Sequence, residues 1–453
     1  PDADRAAARQ ILDRLAAGAR PDRLAHAVDP VDVVASARKR ATDNARWWHS
    51  LTPREQAVML RTYPAQVGNA DGVPAHVRDH ANRLSVTRDL TRFADRAPEG
   101  ADLEQWMRAE LDGAARRQLE NLVYTWRALS VAEERVGRLH PNVTAPPVHL
   151  IAYSATEFGN DGRAVLSFGD IDTADSVAWQ IPGITTTLQH LRARMGNSLN
   201  LYEVASRMNP GREIASVAWI GYNAPSGRTM ATETVSQRPA EEGGALLARD
   251  IAAANAARDF HAERGGPARA ENHILAHSYG STTTGHAGAG GRLAGEVTTI
   301  TLLGSPGAGP LRHASDFGIG ADNVFVATGS HDPVTFVGAN VPGMPGRFAG
   351  RGQGTDPAIA AFGARRIRAE FPRVPRFSDG LRTHRQYWQY TEWAHRTPTE
   401  ALENFGLIVS GRAEEVSLAE HRPGVEEPTW LQRNVGSPPR PPPADPGAPH
   451  QPR

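Results

Sequence analysis

The sequence predicts an α/β architecture, a mostly parallel sheet flanked by helices, preceded by an all-helical N-terminal region. Three observations predict it. Helical spacing of apolar residues fills residues 1 to about 145. Past Pro146-Pro147, short β-branched runs alternate with helical ones, as βα units do. Within that second part, Glu271 to Gly285 reads as a short apolar run, a tight turn of small residues around Ser278, and a run of small and polar residues. The chain therefore divides into a helical region (1–145), an α/β domain (146–412) and a Pro-rich tail (413–453) expected to be extended or disordered.

In the first region, Ala8, Ile11, Leu12 and Leu15 mark a helix over 6–17, and Val31 to Trp48 a second. Thr52-Pro53-Arg54-Glu55 then caps a third, with Pro at an early position. Residues 63–74 read as a turn-rich connection and 75–84 as a helix. Residues 103–139 form one or two helices, weakly interrupted at Gly113. In the α/β part, strands are expected at 148–153, 164–168, 176–181, 215–222, 273–276, 297–303 and 324–328. Helices are expected at 185–205, 240–263 and 399–409.

Bulk composition bounds the chemistry. Over 453 residues the 50 basic and 50 acidic side chains cancel, so charge gives no case for nucleic acid or an anionic membrane as partner. There is no cysteine, which excludes disulfides, thiolate metal sites and a Cys nucleophile while leaving the compartment open. No apolar run reaches the length of a transmembrane segment. The chain begins at Pro1 with no basic-then-apolar leader, which reads as a processed form or an excised piece. Asp71, His76 and His80 lie close together, but with no second ligand cluster nearby they read as solvated or capping residues, and neither metal nor cofactor is expected.

Ser278 sits where a nucleophile elbow would hold it, with small residues, Ala276 and Gly280, two positions to either side. The bland alternative is a strand-to-helix turn whose serine only caps the helix. A serine nucleophile needs a base, an acid to orient the base, and an oxyanion hole, and on this fold the chain order is Ser, Asp or Glu, His. Asp332 follows the strand at 324–328 and precedes Pro333; its other reading is an Asx-turn residue. His384 follows the turn-forming Ser378-Asp379-Gly380 and is preferred as base over His395. His277, His286 and His331 are poorly placed for that role. The backbone N–H of Tyr279 and one from Ile184 or Thr185, after Pro182-Gly183, would hold the oxyanion. Ser305 reads as part of a loop rather than a second nucleophile.

With these residues assembled, residues 40–412 resemble the actinobacterial α/β-hydrolase family long catalogued as a domain of unknown function. The resemblance is carried by Trp47-Trp48-His49-Ser50-Leu51, residues 68–74 and 78–83, Pro182-Gly183, Trp219-Ile220-Gly221-Tyr222, His277-Ser278-Tyr279-Gly280, residues 304–307 and Asp332-Pro333-Val334. It implies an α/β-hydrolase fold and a serine-hydrolase domain behind a helical region. Members often follow helical modules similar to type VII secretion substrates, which hints at export and at a secretion-system or protein partner for the N-terminal helices.

The expected activity is metal-free hydrolysis of carboxylic esters, with a lipid or acylated metabolite as substrate. Two alternatives stand beside it: a binding or secretion-associated module with a vestigial site, and a secreted effector using the same triad.

Overall fold

The structure is a computed structural model and describes residues 32–139, 145–337, 352–370, 383–392 and 396–421. The helix expected over 6–17, His395 and the tail beyond 421 lie outside the described residues.

The N-terminal region is helical: α1 (Val33–Ser50), α2 (Pro53–Thr62), α3 (Pro64–Gly68), α4 (Ala75–Ala94), α5 (Leu103–Glu110) and α6 (Gly113–Leu139). The cap read from sequence at α2 is a full capping box: the Thr52 hydroxyl accepts from Glu55 N and the Glu55 carboxylate accepts from Thr52 N. Two boundaries differ from expectation. Residues 64–68 make a turn of helix, started by Pro64 at its first position. α4 runs to Ala94 because Val86 and Phe93 continue its buried face.

Eight strands then form one sheet: β1 (Val148–Ser154), β2 (Arg163–Phe168), β3 (Ser176–Ile181), β4 (Ile214–Ile220), β5 (Glu271–His277), β6 (Thr299–Leu303), β7 (Val324–Ala327) and β8 (Arg365–Ile367). Their spatial order is β1-β2-β4-β3-β5-β6-β7-β8. β2 runs antiparallel to both neighbours, and every pairing from β4 to β8 is parallel. The longer helices between strands are α7 (Leu191–Met208), α8 (Met230–Ser236), α9 (Arg238–Ala262) and α10 (Tyr279–Gly288), with α11 (Glu400–Val409) closing the domain.

Strand alternation fixes the layers. Trp179, Ile274 and Val326 point to the face covered by Leu247 and Ile251 of α9 and Ala287 of α10. Their neighbours Ala178, Leu275 and Phe325 point to the opposite face, under Leu201 and Val204 of α7 and Leu402 and Phe405 of α11. A third cluster packs Leu122 and Leu129 of α6 and Met195 of α7 against Leu150, Leu166 and Phe168. Inside the first layer is a buried charge group. Asp250 accepts from Arg163 at 2.9 Å, Arg249 at 2.7 Å and the Trp219 indole at 2.8 Å.

The N-terminal helices are tied into the sheet by polar contacts. Along the edge strand β1, Arg83 donates to Val148 O, Asp79 accepts from Leu150 N, Asn82 donates to Leu150 O, and Asn69 bonds both N and O of Tyr153. At the other edge the tail does not leave the domain at residue 412. Leu418 bridges antiparallel to Ile367 of β8, with Arg368 N donating to Ser417 O and Ala419 N to Arg366 O. The three-residue strand β8, rich in arginine, carries no β-branched run, so neither it nor its partner segment stands out in the sequence.

Candidate active site

The strand-to-helix turn forms where the sequence places it. β5 ends at His277, α10 begins at Tyr279, and between them Ser278 adopts φ 58°, ψ −129°. A non-glycine residue there costs about 1–3 kcal/mol, a strain typical of functional sites. Ser278 makes no side-chain cap to the helix, so the capping alternative is set aside; its N–H is spent on Leu303 O at 2.9 Å. Gly280 is required because a Cβ there would lie 2.5 Å from Ile181 O. Ala276, two residues on the other side, fits its methyl into the buried core.

Asp332 and His384 meet across 52 positions of sequence. The His384 Nδ1–H donates to both carboxylate oxygens of Asp332, at 3.0 and 2.9 Å. Asp332 is fully buried and also accepts from Val334 N at 3.0 Å and from the Tyr387 hydroxyl at 2.7 Å. The Val334 contact is the Asx turn weighed from sequence; the turn and the histidine share one carboxylate. The nucleophile side is close by. A Cβ on Gly304, at the end of β6, would lie 2.8 Å from Asp332 Oδ2 and 3.0 Å from His384 Nδ1. A Cβ on Gly183 would lie 2.7 Å from that of Ser278 and 3.1 Å from its Oγ. Among the described residues, however, Ser278 Oγ forms no hydrogen bond to His384. Such contacts are commonly long without substrate and tighten on binding.

Of the two residues named for the second oxyanion donor, Thr185 is ruled out. Its N–H is donated to Pro225 O at 2.8 Å, and the residue takes a left-handed turn at φ 62°. The helix expected from 185 starts later, with a 3-10 turn at Leu188–His190 before α7, so residues 184–187 form loop rather than a helix N-terminus. Ile184 remains, beside Gly183. Tyr279 is the first residue of α10, where an N–H has no partner within the helix.

Other residues fall into place. His277 is buried; its Nε2–H donates to His384 O at 2.7 Å and its ring lies 4.4 Å from that of His384. Burial, then the neighbouring His384 and Arg194, push its pKa well down, so it stays neutral and binds a proton only weakly. His286 bonds Gln237 at 2.9 Å, and His331 is exposed. Ser305 is held within its own loop by Gly307. Asp71 pairs with Arg78 at 3.1 Å, and the described residues contain no group of three or more potential ligands placed to hold a metal. Sequence reasoning missed Tyr387, whose hydroxyl accepts from Gly329 N at 3.1 Å while donating to Asp332. Its place three residues after the histidine was the available signal.

Comparison with known proteins agrees with this architecture. Residues 159–342 match the model of a family described as alpha/beta hydrolase. That span contains Gly183, Ser278 and Asp332 and stops short of His384. An uncharacterized protein of Mycobacterium tuberculosis strain H37Rv, Rv2079, is 33% identical over 410 residues, covering 84% of this chain. This chain spans 58% of that relative's length. An uncharacterized protein of Mycobacterium bovis, Mb0988c, is 29% identical over 197 residues, 42% of this chain and 68% of its own length.

Proposed function

We propose, from the match of residues 159–342 to the alpha/beta hydrolases, that the chain is a serine hydrolase cleaving carboxylic esters through a Ser278–His384–Asp332 triad. The observation that carries this reading is the strained Ser278 at the strand-to-helix turn, in the same site as a buried His384–Asp332 pair. In the reaction, His384 Nε2 takes the Ser278 proton as Oγ attacks the ester carbonyl. The N–H groups of Tyr279 and Ile184 receive the oxyanion. His384 then returns the proton to the departing alcohol, leaving an acyl-serine. Water, deprotonated by the same histidine, releases the acid and restores the hydroxyl. Asp332 holds the imidazole in the tautomer with hydrogen on Nδ1 and stabilises the imidazolium. The partners of this reading are a small-molecule ester or lipid at the serine and a protein or secretion-system component at the N-terminal helices.

The test is labelling with a fluorophosphonate probe, wild type beside Ser278→Ala, with the modified peptide mapped by mass spectrometry and ester hydrolysis followed in parallel. Labelling at Ser278 alone, with turnover lost in the variant, supports the reading. A folded wild type that neither labels nor turns over esters favours the second reading, a vestigial site on a binding module. The absent Ser278–His384 hydrogen bond is the feature that favours that second reading.

A further inference from the structure

A second site lies on the outer side of α7. A cleft of about 670 Å³ opens there, lined by Arg135 of α6, by His190, Arg192, Asn197 and Asn200, and by Gln389 from the segment that follows His384. No carboxylate lines it. Among the described residues, neither Arg135 nor Arg192 has an ion-pair or hydrogen-bond partner. Burial lowers the pKa of Arg135, and the nearby charges of Arg192 and Arg138 lower it further, though Arg138 is itself paired with Glu134. Glu203, which the Tyr390 hydroxyl of the cleft wall reaches at 2.9 Å, is itself neutralised by Arg396.

The walls are built to keep the donors in place. Arg135 Nη1 lies 3.3 Å from where a Cβ on Gly196 would be, so the glycine in mid-helix gives the guanidinium room against α7. Asn200 is fixed by donating to Trp388 O at 2.9 Å. His190 Nδ1 accepts from Thr187 N at 3.3 Å, which puts the ring proton on Nε2. Two guanidiniums, an imidazole N–H and several carboxamides offer more donors than one carboxylate accepts, whereas a phosphate group presents oxygens to all of them.

We propose that this cleft binds a phosphate group, carried by a small metabolite or by a lipid headgroup. The assignment stands apart from the reaction at Ser278 and holds whether or not that serine is active. It also gives the ligand a contact with the segment that carries His384, through Gln389 and the Asn200–Trp388 bond.

The experiment uses the full chain, with glycerol 3-phosphate titrated by calorimetry and vesicles of phosphatidylglycerol or phosphatidylcholine tested by co-sedimentation. Wild type is compared with the Arg135→Gln/Arg192→Gln double variant, its fold checked by circular dichroism, and with Arg135→Lys. Binding of glycerol 3-phosphate, weakened about tenfold or more in the double variant and partly retained with lysine, supports a metabolite. Binding confined to phosphatidylglycerol vesicles, and lost in the same variant, supports the headgroup. Three results would overturn the proposal: no saturable binding of either probe, equal binding by the double variant, or equal affinity for succinate.

Discussion

The Tyr387 hydroxyl joins Asp332 to the strand before it, donating to Oδ2 at 2.7 Å and accepting from Gly329 N at 3.1 Å. It is a positioning residue: it fixes the rotamer of the carboxylate that in turn orients His384. Tyr387→Phe removes one hydrogen bond to a charged group and leaves the Gly329 N–H without that acceptor. We expect kcat to fall about tenfold with KM little changed, because the loss bears on the imidazolium formed in the transition state. Steady-state kinetics on a p-nitrophenyl ester decide it, and an unaltered kcat would remove Tyr387 from the machinery.

Gly304 lies tight against the Asp332–His384 pair. Its φ of +54° disfavours any side chain, and a methyl would press on both Asp332 Oδ2 and the His384 ring. Gly304→Ala should lower kcat about 10²-fold through displacement of the Asp–His pair. Fluorophosphonate labelling should slow in parallel while the far-ultraviolet dichroism stays unchanged. Labelling at the wild-type rate would contradict this geometry.

Removing the acid should cost more than loosening it. Asp332→Asn keeps the shape but reverses the polarity of the contact with Nδ1, favouring the wrong imidazole tautomer. A fall in kcat of about 10³–10⁴-fold is expected, by analogy with other serine hydrolases. A loss below tenfold would mean that His384 is oriented by other contacts.

Two buried histidines make stability depend on pH. Burial, then Arg212, holds His273 down to a pKa of about 3, and His277 is likewise held neutral. Unfolded, both take up a proton near pH 6.5, so the stability they contribute is complete above that pH and declines as pH falls. The slope should be about 1.4 kcal/mol per pH unit for each, continuing for His273 to about pH 3. Urea unfolding at pH 7 and pH 5 should show a shallower dependence in His273→Gln than in wild type. Equal slopes would count against a neutral buried His273.

Asp250 carries the burden of two buried guanidiniums. Burial opposes its charge, but Arg249, Arg163 and the Trp219 N–H outweigh that and hold its pKa low. Asp250→Ala leaves Arg163 and Arg249 uncompensated and should destabilise the fold by about 3–5 kcal/mol. Denaturant unfolding measures it, and a loss under about 1 kcal/mol would show that the arginines find other partners.

What was legible in the sequence was local. The turn at Ser278, the capping box at Thr52 and the apolar strands each write their signal into a few neighbouring residues. Asp332 and His384 were named from chain order on this fold, and the structure puts them in contact. What escaped was set by distant partners. Thr185 lost its donor role to the Pro225 carbonyl, and the helix after it begins late because Thr185 takes a left-handed turn within a loop. β8 escaped because Arg365–Ile367 has little strand character of its own and is held by β7 and by residues 417–419. Tyr387 escaped because its partner Asp332 lies 55 positions away in the sequence.

Both outer strands of the sheet are sealed by chain from beyond the hydrolase segment, β1 by side chains of α3, α4 and their flanks, β8 by residues 417–419. Bare strand edges are templates for pairing with another molecule. A fragment cut at residues 146 and 412, where composition changes most visibly, would keep Ser278, Asp332 and His384 yet expose unsatisfied peptide groups on either flank. Such a piece should self-associate through its borders. The helical region and residues 417–419 therefore cover the two borders that the sheet would otherwise leave bare.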